Sequence, residues 1–131
     1  MATMYKVIKA KDFIKAKPSG ITDLEQSKQV LLELAMIAGL SPKHEILIDI
    51  RESDAGLTHE ELKELIQELI KHRSFFHNKI AVIARDDEQY SRAGFFEIFA
   101  NLEGFQVAAF IDFEKACSWL NSTSGVEELF E

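Results

Sequence analysis

At 131 residues, with 47% hydrophobic and 28% charged residues, the chain has the size and make-up of one globular domain with a sizeable core. Its 22 acidic residues outnumber 15 basic ones, and the net charge of −7 argues against non-specific nucleic-acid binding, which needs a basic surface to neutralise phosphates. A lone cysteine, Cys117, excludes an internal disulfide and any multi-cysteine metal site.

No run is apolar enough to span a bilayer, and MATMYKVIKAKDF lacks the apolar stretch of a signal peptide, so a cytoplasmic location is expected. In chain order, Tyr5–Ile8 and Phe13–Ala16 read as two short strands joined by a turn at Ala10-Lys11-Asp12, an N-terminal β-hairpin. Lysines 6, 9, 11, 15 and 17 make this segment basic within an acidic chain. They read as edge charges that discourage strand-to-strand aggregation, the favoured reading, or as a docking surface for an acidic partner or an anionic ligand. Pro18-Ser19-Gly20 breaks the strand. Thr22 followed by Glu25 has the spacing of a capping box, and the helix it opens is expected to run to Ala38, with Gly39 as its left-handed stop.

The stretch EILIDIRESDAG, Glu45–Gly56, organises the rest. Ile46, Leu47 and Ile48 form the apolar run of a central strand buried on both sides, which exits through Asp49-Ile50-Arg51 into a polar loop. Thr58 and Glu61 make a second capping box, and Leu62, Leu65, Ile66, Leu69 and Ile70 stripe the helix that follows. Ile80–Ala84 is a further buried strand, and Arg85-Asp86-Asp87-Glu88 is its exit loop. The next helix, Glu88–Leu102, carries Phe95, Phe96, Ile98, Phe99 and Leu102 on more than one face, the pattern of a helix buried on more than one side. Phe105–Ile111 is the last strand. Asp112 caps a final helix bearing Ala116, Cys117, Trp119 and Leu120. Residues 122–131 form an acidic C-terminal tail outside a domain spanning 1–121. Strands alternating with helices predict an α/β fold, a single mixed and mostly parallel sheet of about four to five strands with flanking helices and right-handed crossovers.

Asp49, Glu52 and Asp54 gather at the central strand's exit, with Asp86 and Asp87 after the next strand, where open α/β sheets bind ligands. Such oxygens suit Mg²⁺. The competing reading, favoured here, is a strand-end Asp bonding loop amides beside solvated acids. The acidic pair also follows the wrong strand for a receiver-type phosphoacceptor. His44, His59, His72 and His77 lack metal-ligand spacing and read as surface or capping residues. No nucleophile, phosphate-loop or dinucleotide fingerprint is present, so no catalytic residue, metal or cofactor is expected. The phenylalanine helix offers either extra core or an apolar interface or pocket formed by Phe95, Phe96 and Phe99 with Tyr90, with a homodimer ahead of a small apolar ligand.

Four stretches together resemble the STAS family, in particular its SpoIIAA-like branch of small stand-alone bacterial proteins. Phe13–Leu24 resembles the family's second strand, Gly turn and helix start. Ile46–Ile50 resembles its central strand ending in Asp. Asp54-Ala55-Gly56-Leu57 sits where the family often has Asp-Ser-Ser-Gly-Leu, and Phe110–Leu120 looks like its closing strand and short helix. The resemblance implies a non-catalytic binding role, with Glu52, Ser53, Asp54, Ala55, Gly56 and Thr58 as candidate partner-binding residues. In anti-sigma-factor antagonists a partner kinase phosphorylates the Ser just before the Gly. That position here is Ala55, which has no hydroxyl, and Ser53 lies nearby but not at the matching place.

Overall fold

The computed structural model describes residues 7–9, 13–40, 44–54 and 56–122. Among the described residues the main sheet has five strands: β1 (Val7–Lys9), β2 (Phe13–Ala16), β4 (Glu45–Asp49), β6 (Lys79–Ile83) and β7 (Gln106–Phe110), in the spatial order β1-β2-β4-β6-β7. β1 pairs antiparallel with β2, and every other pairing is parallel. The hairpin, the central strand and the mostly parallel sheet are thus as the sequence predicts, although Tyr5, Lys6 and the turn at Ala10–Asp12 lie outside the described residues. So do Ala55 and all of the acidic tail beyond Ser122.

Burial follows strand chemistry. Ile46, Leu47, Ile80 and Ile83 are essentially inaccessible, because β4 and β6 occupy the middle of the sheet and are covered on both faces. Each such side chain contributes about 1.5–3 kcal/mol through burial. One face, presenting Ile14, Ala16, Ile46, Ile48, Ile80, Val82, Val107 and Ala109, packs against helices α1 (Leu24–Leu40), α2 (His59–Lys71) and α3 (Asp87–Leu102). The other face, presenting Leu47, Ala81 and Ile83, is covered by α4 (Phe113–Asn121) through Ala116 and Leu120, flanked by Phe13, Phe110 and Trp119. Two short segments, β3 (Gly20–Ile21) and β5 (Ser53–Asp54), pair parallel outside the main sheet.

Helix α2 starts as its sequence predicts: Thr58 accepts from the Glu61 amide at 3.1 Å, and Glu61 accepts from the Thr58 amide at 3.0 Å. Asp112 caps α4 by accepting from the amides of Glu114 and Lys115. Three expectations need correction. The first concerns the cap of α1, which is Asp23 with Gln26 rather than Thr22 with Glu25: Asp23 accepts from the Gln26 amide at 2.8 Å and Gln26 accepts from the Asp23 amide at 3.1 Å. The Thr22 amide donates instead to Asp54 O at 3.2 Å, so it does not take part in the reciprocal bond that a capping box with Glu25 requires. Gly39, second, lies inside α1 rather than ending it. A Cβ there would lie 2.8 Å from Phe75 Cδ1, so the glycine admits the Phe75 ring.

Third, α3 packs against the sheet and α2, but the burial stops short of Ile98 and Leu102. Its buried stripe is Gln89, Ala93, Phe96 and Ala100, while Ile98 is 59% and Leu102 74% exposed. α3 lies on β7 at the sheet's margin and touches α2 along one flank, so its outer side faces solvent. Phe95 and Phe99 fill the seam with α2. Phe95 stacks on His59 at 4.2 Å between ring centroids and tilts against Phe99 at 4.6 Å, and Lys63 Nζ stands 5.7 Å from the Phe99 centroid. His59 is therefore an aromatic platform at the helix surface rather than a ligand.

Candidate functional site

The chain leaves β4 at its carboxyl end, where open α/β sheets place their sites. Asp49 closes the strand with a side chain that has no accessible surface. Its two oxygens accept from Arg51 Nε at 3.0 Å and Arg51 Nη2 at 2.9 Å, and Oδ1 also accepts from the Arg51 amide at 3.1 Å. Burial pushes this carboxyl up, but the bonds from Arg51, helped by the charges of Arg51 and Lys15, outweigh it and hold it below the usual aspartate value. Of the two readings of the strand-end acids, the bonded-turn one describes Asp49. Among the described residues no group of His, Cys, Asp and Glu is arranged to hold a metal ion.

After Arg51 the loop is stitched from three sides. From below, Ser53 N donates to Ile50 O at 3.0 Å. From the segment before α1, Gly20 N donates to Glu52 O at 3.0 Å, completing the β3–β5 ladder together with the Thr22–Asp54 bond. From α3, the buried Gln89 donates through Nε2 to Ile50 O at 3.0 Å and Ser53 O at 2.7 Å, while its Oε1 accepts from the Arg85 amide at 2.7 Å. Arg85 reaches across the surface: Nη1 donates to Arg51 O at 3.0 Å, Nη2 to Asp54 Oδ1 at 3.0 Å and Nε to Asp86 Oδ2 at 3.2 Å. The bond to Asp86 and then that to Asp54 raise the Arg85 pKa, and the Gln89 amide, then Arg85, hold Asp86 low. Asp86 is also the cap of α3, accepting from Gln89 N at 2.9 Å. Gly56 takes φ +59, a backbone that any side chain would strain. Leu57 then turns inward to 8% exposure, and Thr58 begins α2.

Of the candidate loop residues, Glu52, Asp54, Gly56 and Thr58 are exposed, whereas Ser53 is buried at 4%, and Ala55 lies outside the described residues. Glu52 is paired with Lys17 Nζ at 3.0 Å. Beneath the loop lies a cavity of about 140 Å³, bounded by the starts of α1, α2 and α3 and by the sheet. Leu31, Leu62, Leu65, Ala93 and Phe96 wall it, Ile48 and Val82 floor it, and Ser53 and Leu57 of the loop reach into its lining. Gln26, Ser27 and Arg92 bring polar groups to the same cavity.

The phenylalanine group does not act as one patch. Phe96 is core and cavity wall, Phe95 and Phe99 lie in the α2–α3 seam, and Tyr90, 42% exposed, borders a shallow depression with Phe110, Ile111 and Lys115. Sequence reasoning missed Gln89 and Arg85, the residues that hold the loop. Gln89 was within reach of it, because it stands four, seven and eleven residues before Ala93, Phe96 and Ala100 and so falls on the buried stripe.

Among the described residues no helix is long and apolar enough to cross a membrane. No family model matches the chain, and no curated protein matches it. Solved structures do. The chain is similar to an uncharacterised protein of the DUF3478 family with a SpoIIAA-like fold from Shewanella loihica PV-4, at 21% identity and a TM-score of 0.59 over 90% of this chain and 93% of that one. It is similar to an anti-sigma factor antagonist from Mycobacterium paratuberculosis, at 11% identity and a TM-score of 0.61 over 92% and 96% of the two chains. It is also similar to the unphosphorylated anti-sigma factor antagonist SpoIIAA, at 7% identity and a TM-score of 0.52 over 93% and 100%. Strand order, helix placement and these likenesses agree that the chain has the SpoIIAA-like fold.

Proposed function

We propose that the protein is a non-catalytic, STAS-like regulatory module that binds a protein partner through the loop Glu52–Thr58 and the start of α2. The observation that carries this reading is the loop itself. Its backbone at Glu52–Asp54 is held by β3 and Gln89, and Arg85 holds the Asp54 side chain, while Glu52, Asp54 and Thr58 remain exposed. A surface ordered before binding loses little entropy when a partner docks. Two of the similar structures are anti-sigma factor antagonists, which supports a protein as the partner. The residue before Gly56 is Ala55, so phosphorylation at that place is not available to this chain. The test is affinity capture with the wild-type chain and with Glu52→Lys/Asp54→Lys, both checked for unchanged circular dichroism. Recovery of one protein by the wild type alone supports the loop, and equal recovery by both removes it.

A second reading, binding of a small apolar or lipid-like ligand beside α3, is favoured by the cavity beneath the loop. Native mass spectrometry of the purified chain tests it, because a bound molecule adds a discrete mass. A cytoplasmic location and a homodimer belong to the proposal as well. Sedimentation across a concentration series tests the dimer, and a strict monomer at high concentration rejects it.

A further inference from the structure

We propose that the cavity binds a short aliphatic or cyclic carboxylate, and that its occupancy sets the posture of the loop Glu52–Thr58, so that a ligand switches partner binding where Ala55 offers no site for phosphate. The inference rests on the interaction reading above and names how that surface is regulated.

Volume defines the body of the ligand. At about 140 Å³ the open-mouthed cavity is close in volume to the roughly 150 Å³ apolar cavities that bind benzene, so it takes a group of about six carbons. Its walls of Leu31, Leu62, Leu65, Ala93 and Phe96 give water few partners and an apolar body many. Arg92 defines the head. This side chain lines the cavity, is 28% exposed, and faces Glu88 at 3.5 Å in an i,i+4 pair whose acid is 79% exposed. An exposed helix pair of that kind is weak, and a ligand carboxylate can compete for the guanidinium.

Coupling follows from shared residues. Leu57 is at once the loop's anchor in the core and part of the cavity lining. Gln89 also lines the cavity and holds the Ser53 carbonyl from beneath. A ligand touching both changes what the loop rests on, while Glu52 and Asp54 face outward and touch none of the cavity. Ligand affinity that differs between two loop postures is what shifts one into the other.

The experiment titrates the full chain, labelled in methyl and amide groups, with hexanoate and separately with 1-hexanol, by nuclear magnetic resonance. Saturable methyl shifts at Leu57, Leu62, Leu65 and Val82 are expected with both probes. Hexanoate should bind roughly threefold tighter, the scale of a part-exposed charge pair, and Arg92→Gln should remove that difference. The amides of Glu52 and Asp54 should move in step with the methyls. Ala93→Leu, which fills the cavity, should abolish the shifts, and Val30→Phe fills it from α1 if the first variant fails to fold. Methyl shifts that saturate while the Glu52 and Asp54 amides stay still overturn the proposal, as do equal affinities for the two probes, or no saturable shift at all. The Glu52→Lys/Asp54→Lys capture experiment fails or succeeds independently of these titrations, so loss of the interaction reading is distinguishable from loss of the ligand.

Discussion

Gln89→Met removes one polar side chain and keeps its length. The glutamine is 3% exposed and makes three side-chain bonds of 2.7–3.0 Å, to the Ile50 and Ser53 carbonyls and from the Arg85 amide. Methionine offers none of these: the Ser53 carbonyl and the Arg85 amide lose this partner, and the Ile50 carbonyl keeps only its bond from the Ser53 amide. At about 1 kcal/mol net per bond the loss is about 3 kcal/mol. With a urea dependence of about 2 kcal/mol per molar, the midpoint should fall by about 1.5 M at unchanged slope. The assay is urea unfolding followed by circular dichroism, with amide exchange as the local readout. Ser53 N and Thr22 N, whose bonds hold the loop, should exchange faster in the variant than in the wild type, while the amides of β6 change less. A midpoint within roughly 0.25 M of the wild type, about 0.5 kcal/mol, would refute the claim that Gln89 holds the loop.

Three other outcomes follow from the same geometry. Asp49→Asn should flatten acid sensitivity. Because the native carboxyl titrates below its ordinary value, its contribution is present above the unfolded pKa of about 3.9 and is lost as pH falls through the lowered native one. Thermal melts from pH 7 downward should show the wild type losing stability relative to the variant only in that acid window, and parallel curves would contradict it. Gly39→Ala should gain about 1 kcal/mol of helix propensity in a Phe75→Ala background and clearly less with Phe75 present, because the new Cβ would sit 2.8 Å from the ring; an equal gain in both backgrounds removes the contact. Thr58→Ala should cost about 1 kcal/mol in urea unfolding by opening the capping box, and a neutral result would show that Glu61 alone suffices.

What could be read from the chain beforehand was whatever is decided locally. Ile46–Ile48 and Ile80–Ile83 declare buried parallel strands by unbroken apolar runs, and Thr58 with Glu61, and Asp112, declare helix starts by chemistry within three residues. The corrected positions depend on distant partners. Thr22 loses the cap to Asp23 because Asp54, thirty-two residues on, claims its amide. Gly39 answers to Phe75, thirty-six residues away. Phenylalanines that read as one apolar patch are divided between core and seam by the position of α2, which the spacing within α3 does not encode. The loop was found from its resemblance and its place after the central strand. The cavity was not, because an empty volume belongs to three helices and a sheet together and to no segment alone.

The two-residue ladder between β3 and β5 has a kinetic meaning. It clasps segments separated by more than thirty positions and offers only a pair of residues on each side, with Asp54 open to water. Closing so long a span for so small a reward is unfavourable until β4 has docked against β2 and drawn the ends together. The clasp is therefore expected to close after β4 has docked, which a delayed protection of the Thr22 amide in pulsed hydrogen exchange would show. Whatever recognises this end of the molecule meets a clasp that closes a long span and that Gln89 and Arg85 then keep closed.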